Sequence, residues 1–171
     1  DIGTFYQPDA VLIADAGKTA ENILYWLDEA EIAPSGFAKE LPSHDISIYP
    51  KGDPNKSTAG YINFEYALDR LNETLPENRI MLTDGGRYIT EVWCRVNVPD
   101  PNSFHMSDNF AAIGQGMQQA IGAAYGDPTR PVVLFTGDGG FMMGGINEFN
   151  TAVRLGLDLI VIIANDSAYG A

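Results

Sequence analysis

The sequence predicts an α/β fold, an open parallel sheet with helices on both faces, and three observations carry that prediction. Short apolar runs alternate with stretches of helical periodicity along most of the chain, the pattern that threads parallel strands through right-handed helical crossovers. The run over 157–164, Leu-Asp-Leu-Ile-Val-Ile-Ile-Ala, is almost continuously apolar, which suits a strand covered on both faces. The composition, 45% hydrophobic and 19% charged over 171 residues, is that of a globular chain with room for one core, or one core and part of another.

The elements follow in order. Residues 10–15 form an apolar run ending in Asp15, and Ala20, Ile23, Leu24 and Leu27 then recur at helical spacing, so a strand followed by a helix over 17–30 is expected. Pro34, Gly36, Pro42, Pro50, Gly52 and Pro54 interrupt 31–59, which reads as an exposed linker. A helix is expected to start near Ser57 or Thr58 and to carry Ile62, Tyr66, Leu68 and Leu71, with Pro76 past its end. A strand at 79–83, a turn at Asp84-Gly85-Gly86 and a short apolar-periodic stretch over 88–96 come next. Residues 98–107 contain two prolines and read as a loop. A Gly- and Ala-rich helix over 110–125 is stopped by Asp127-Pro128, and a strand at 131–136, a helix at 141–155 and the strand at 157–164 complete the reading.

Bulk chemistry excludes several functions. A net charge of −13 repels nucleic-acid phosphates, and a phosphate ligand on so acidic a chain calls for a local cation. The single cysteine, Cys94, rules out a disulfide within the chain and a Cys-rich metal site; among Val92, Trp93 and Val96 it reads as a small buried hydrophobe. No apolar run is long enough to span a bilayer and no signal peptide is visible, so the expected location is cytoplasmic, with no membrane partner.

Residues 131–165 form the informative unit. The first strand ends at Thr136, Gly137-Asp138-Gly139-Gly140 makes a turn directly before a helix, and the second strand ends at Asn165, 27 positions after Asp138. In a parallel sheet both strand ends lie on one edge, where open α/β sheets bind ligands. Asp138 and Asn165 offer hard oxygen donors suited to magnesium or calcium rather than zinc. Gly139 and Gly140 leave the backbone N–H groups at the helix start open to an anion. Together these residues describe a metal-bridged diphosphate site. The glycines at 114, 116 and 122 do not give the G-x-G-x-x-G spacing of a dinucleotide-binding dehydrogenase.

The segment 137–170 resembles the signature of thiamine diphosphate-dependent enzymes, in which Gly-Asp-Gly precedes an Asn by such an interval. The resemblance implies that Asp138, Asn165 and the backbone carbonyl of Ser167 hold magnesium, with Gly137, Gly139 and Gly140 around the diphosphate. The family usually has Asn-Asn at this strand end, where this chain has Ala164-Asn165. Ile113-Gly114-Gln115-Gly116-Met117 and Ala120-Ile121-Gly122-Ala123 resemble the preceding helix of acetolactate synthase-like and decarboxylase-like members, which implies that Ile113 is the bulky apolar residue that bends the cofactor. Asp84-Gly85-Gly86-Arg87-Tyr88 falls where the family has an Asp-x-Gly turn at the diphosphate, implicating Gly86 and Arg87; acetolactate synthases tend to follow that glycine with Gln-His, whereas this chain has Arg87-Tyr88.

On this resemblance, 1–30 is the tail of a middle domain, 31–59 a linker, and 60–171 a truncated thiamine diphosphate-binding domain with an incomplete sheet. The implied activity is decarboxylation or carboligation of small 2-oxo acids, with thiamine diphosphate and Mg2+ as cofactors and FAD left open. No catalytic residue is expected in this chain. The activating glutamate belongs to a pyrimidine-binding domain of the same or a second subunit, in a homodimer or homotetramer, so this portion is expected to be inactive alone. A non-catalytic phosphate- or nucleotide-binding or regulatory relative of the same fold is the alternative. His105, His44 and Glu148 read as exposed or structural.

Overall fold

A computed structural model describes residues 7–36, 39, 49–107 and 109–169. Residues 1–6, 37, 38 and 40–48 including His44, together with Asp108, Gly170 and Ala171, lie outside the described set. The chain divides into two compact units, Asp1–Ser47 and Ile48–Ala171.

In the first unit, helix α1 spans Ala16–Glu29. Asp15 caps it, its carboxylate accepting the Lys18 N–H at 2.9 Å, which satisfies one of the free donors at a helix start. No residue of α1 is buried. The strand expected over 10–15 is not formed: those residues are irregular. An apolar run becomes a strand only when another strand accepts its ladder, and no described residue pairs with it.

The second unit is built on four parallel strands. Helix α2 spans Phe64–Thr74, followed by β1 at Ile80–Thr83, α3 at Ile89–Arg95 and β2 at Phe104–Met106. Then come α4 at Gly116–Gly126 and β3 at Val132–Gly137. A helical run over 138–155, here α5, begins as α-helix at Asp138–Gly140, widens to a π turn at Phe141–Gly145, and continues as α-helix at Ile146–Leu155. Strand β4 spans Leu159–Ala164. The strand order is β2-β1-β3-β4, every pair is parallel, and the sheet is open.

Alternation along the strands sorts the core into two layers. Ile80, Leu82, Val132 and Leu134 pack with Met117, Ala120 and Ala124 of α4 and Ala152 of α5. Met81, Val133 and Phe135 pack on the opposite side with Leu68 of α2 and Val92 and Val96 at α3. The helices therefore lie on both faces and bury β1 and β3, but β4, the run expected to be covered on both faces, is an edge strand with no fully buried residue and Ile163 41% exposed.

The differences are local. Helix α2 starts at Asn63, not at Ser57 or Thr58: Asn63 Oδ1 accepts the Tyr66 N–H at 2.9 Å, while Ser57 Oγ accepts the Asn63 N–H at 2.8 Å. Residues 48–59 of the expected linker belong to the second unit; the Pro50 carbonyl accepts from Arg95 at 3.0 Å and the Gly52 N–H donates to Asp69 at 2.7 Å. The expected loop over 98–107 contains β2, so exposed His105 lies on an edge strand paired opposite Leu82. The expected helix over 110–125 begins only at Gly116, after a turn at Asn109–Ala111. Cys94 is half-buried, short of the burial expected of it.

Candidate functional site

Strand order locates the site before any side chain is considered. The chain leaves β1 through α3 toward one face and leaves β3 through α5 toward the other, while β1 and β3 are neighbours. That reversal is a topological switch point, and the crevice outside the carboxyl ends of the two strands is where such sheets take ligands. The turn Asp84-Gly85-Gly86 follows β1, and Gly137-Asp138-Gly139-Gly140 bridges β3 and α5.

Register brings the two predicted metal-binding side chains to one edge. Gly137 pairs with Ala164, so Asp138 and Asn165 each stand one residue past the same rung. No described side chain donates a hydrogen bond or ion pair to the Asp138 carboxylate. The Asn165 Oδ1 accepts the Ser167 N–H at 3.0 Å and the Ser167 hydroxyl at 3.4 Å, so a cation there would displace the longer of the two contacts. Ser167 has φ +57°, in the left-handed region that non-glycine residues rarely occupy. Phe110 and Ala111, with φ +60° and +52°, stand in the loop that carries Ile113, so backbone strain is concentrated in two loops at this edge.

The helix start is open. Gly137 is its cap and supplies no side-chain hydrogen bond, so the first N–H groups of α5 have no internal partner and carry the positive end of the helix dipole. A side chain at Gly139 would place its Cβ 2.6 Å from the Tyr169 ring.

Ile113 is seated between the two turns. Its Cγ1 lies 3.3 Å from where a Gly85 Cβ would stand, and its Cγ2 lies 3.3 Å from the corresponding point at Gly140. Both contacts are ordinary only because those positions are glycine. Gly86 and Gly137 face the Tyr88 ring, at 2.6 Å and 3.5 Å from their hypothetical Cβ atoms. Arg87 Nη2 pairs with Asp166 Oδ2 at 2.7 Å, both side chains being at least half exposed.

Asp84, Tyr88 and Thr136 stand at the site's centre and were given no role of their own by sequence. Asp84 is only 2% exposed and its carboxylate accepts the N–H of Gly85 at 2.8 Å, the N–H of Gly114 at 3.0 Å to each oxygen, and the Thr136 hydroxyl at 3.3 Å. The Tyr88 hydroxyl lies 2.7 Å from the Asp84 carbonyl oxygen and 3.0 Å from that of Phe135, tying the ends of β1 and β3 together. Burial, the largest cause, and the nearby Asp84 charge push the Tyr88 phenol well above its ordinary pKa. The signal available in the sequence was the glycine cluster itself, since glycines crowd where something rigid must be approached closely.

Among the described residues no group of three or more His, Cys, Asp or Glu is arranged to hold a metal. A cation at this edge would rest on one carboxylate, one amide oxygen and a backbone carbonyl, and would draw its remaining ligands from water and phosphate. That sparse donor set suits magnesium, and the open helix start beside it suits the anion. The residues present therefore fit a magnesium-diphosphate group.

A parallel sheet with its switch point between β1 and β3, and an oxygen-donor pair beside a helix start without a side-chain cap, is the arrangement of a ligand-binding α/β domain. Residues 84–171 match the family model described as thiamine pyrophosphate enzyme, C-terminal TPP binding domain, and the chain belongs to that family. It is 36% identical over 173 aligned residues to the acetolactate synthase isozyme 1 large subunit of Escherichia coli strain K12, covering 99% of this chain and 29% of that protein. It is 31% identical over 167 residues to 2-hydroxyacyl-CoA lyase 2 of Homo sapiens, covering 96% of this chain and 26% of that one. Among solved structures, benzoylformate decarboxylase from Polynucleobacter necessarius superposes with a TM-score of 0.63 at 22% identity, over 71% of this chain and 23% of that chain, a likeness of fold. The chain thus spans about a quarter of the length of these relatives.

Proposed function

We propose that this chain is the diphosphate- and magnesium-binding part of a thiamine diphosphate-dependent enzyme of the acetolactate synthase or 2-oxo acid decarboxylase type. The observation that carries the reading is the shared edge of Asp138 and Asn165, one residue past the Gly137–Ala164 rung, beside a helix start with no side-chain cap.

Each residue has a defined task. The Asp138 carboxylate, the Asn165 amide oxygen and the Ser167 carbonyl would hold Mg2+, offsetting the repulsion between a diphosphate and a chain of net charge −13. The first N–H groups of α5 would bind phosphate oxygens, with Gly139 and Gly140 admitting them to the backbone. Ile113, wedged between Gly85 and Gly140, would press on the cofactor and fix its conformation. Gly86, Gly137 and the Tyr88 ring beneath them shape the wall toward β1. Thiamine diphosphate, when bound, supplies a nucleophilic carbon and an electron sink for decarboxylation of 2-oxo acids. Turnover would need a glutamate from a pyrimidine-binding domain of the same or a second subunit, so this portion alone is inactive on our reading.

Titration calorimetry tests it. The intact protein should bind thiamine diphosphate only when Mg2+ is present, and Asp138→Ala should weaken that binding by about 100-fold, the loss expected when a charged metal ligand is removed. Magnesium-independent binding, or an Asp138→Ala variant that binds normally, would overturn the assignment.

A further inference from the structure

The buried carboxylate of Asp84 is the least expected group in the second unit. A buried carboxylate ordinarily has a cation beside it, yet no ion pair to Asp84 is formed among the described residues. Its partners are all neutral donors, and they come from three different segments: Gly85 after β1, Gly114 after the strained 109–111 turn, and Thr136 in β3, whose hydroxyl is shared between Asp84 at 3.3 Å and the Gly137 carbonyl at 3.2 Å. The surroundings are shaped to let it in. A Cβ at Gly140 would stand 2.6 Å from Asp84 Oδ2, and one at Gly116 would stand 2.8 Å from Asp84 Cβ. Gly114 has φ +89°, which aims its N–H at both carboxylate oxygens in a conformation glycine adopts without penalty.

Gly114 follows Ile113 directly, and Thr136 precedes Gly137 and Asp138. Holding both donors at one carboxylate fixes the Ile113 loop against the helix start. We propose that Asp84 is the positioning residue of the cofactor cradle, setting the spacing between the apolar wedge Ile113 and the diphosphate-binding end of α5. The inference rests on the cofactor reading above. Asp84 does not touch the ligand; it acts through Gly114 and Thr136. A ligand with only the diphosphate senses one side of that spacing, whereas the whole cofactor spans both.

The test uses this difference on the intact protein, with inorganic diphosphate plus Mg2+ and thiamine diphosphate plus Mg2+ as separate probes. Asp84→Asn puts an amide N–H2 where an acceptor is needed. It should weaken thiamine diphosphate binding at least tenfold while changing inorganic diphosphate binding less than about threefold, and Asp84→Glu should restore part of the loss. Equal losses for both probes would make Asp84 a merely structural residue and overturn the proposal, as would no loss for either. Should Asp84→Asn fail to fold, Thr136→Val decides: a threefold loss confined to thiamine diphosphate supports the proposal, and unchanged binding overturns it. A wild-type protein that binds neither probe would sink the cofactor reading itself.

Discussion

Arg87 and Asp166, 79 positions apart in sequence, form an ion pair of 2.7 Å across the edge of the sheet. The contact joins the turn after β1 to the residue that follows Asn165. Its side chains are 69% and 50% exposed, so solvent and salt screen it. A double-mutant cycle with Arg87→Ala and Asp166→Ala, read by urea unfolding, should give a coupling below about 1 kcal/mol that shrinks in high salt. A coupling of several kcal/mol that ignores salt would contradict this.

Two glycines should respond in opposite ways to the same methyl group. At Gly140 the added carbon meets Asp84 Oδ2 at 2.6 Å and Thr136 Oγ1 at 3.2 Å, and the carboxylate is pinned by its hydrogen bonds. Gly140→Ala should destabilise by about 1–3 kcal/mol, the usual range for overpacking. Gly122 lies inside α4 with nothing within 4 Å of its Cβ position. Gly122→Ala should stabilise by about 0.5–1 kcal/mol through the lower entropy of the unfolded chain. Thermal denaturation of the two variants checks both signs.

Tyr88 should make the second unit sensitive to alkali. Its folded-state pKa is raised above the unfolded value, chiefly by burial. For a group neutral when protonated, the stabilisation is fully present below the unfolded pKa, about 10, and is lost as pH rises beyond it, because the unfolded chain ionises first. Stability should therefore fall above about pH 10, and Tyr88→Phe should flatten that fall. At neutral pH the same variant should lose about 1 kcal/mol for the hydroxyl that joins the Asp84 and Phe135 carbonyls. An unchanged alkaline slope would assign the fall to other groups.

Much of the architecture was legible because strands β1, β3 and β4 are apolar runs, and each ends within a residue or so of its expected limit; burial accounts for the pattern in β1 and β3, whereas β4 is an edge strand with no fully buried residue. Strand β2 was not legible. Phe104-His105-Met106 is too short for a period to show, and it exists because β1 offers it a ladder at Met81, Leu82 and Thr83. The opposite error at 10–15 has the same cause, an apolar run with no ladder to join. The shared edge of Asp138 and Asn165 was readable from spacing because parallel strands end on one side of the sheet. Asp84 was not, since a carboxylate in an Asp-Gly-Gly turn looks solvent-facing until the segments bearing Gly114 and Thr136 close over it. Arg87 looked equally ready for an anion, and only the fold reveals Asp166 beside it.

The π turn at Phe141–Gly145 has a consequence for how α5 can vary. A π turn absorbs one extra residue without rotating the helix beyond it, so the sequence pattern after it is offset by one residue, about 100°, from the pattern before it. The first turn, which faces the crevice, and the segment Ile146–Leu155, which packs Ala152 into the core, are thereby set out of phase. Deleting a single residue between 141 and 145 should leave a regular α-helix with Ala152 still against the sheet. The irregular turn acts as a phase shifter, letting the binding end and the packing end of one helix follow separate sequence patterns.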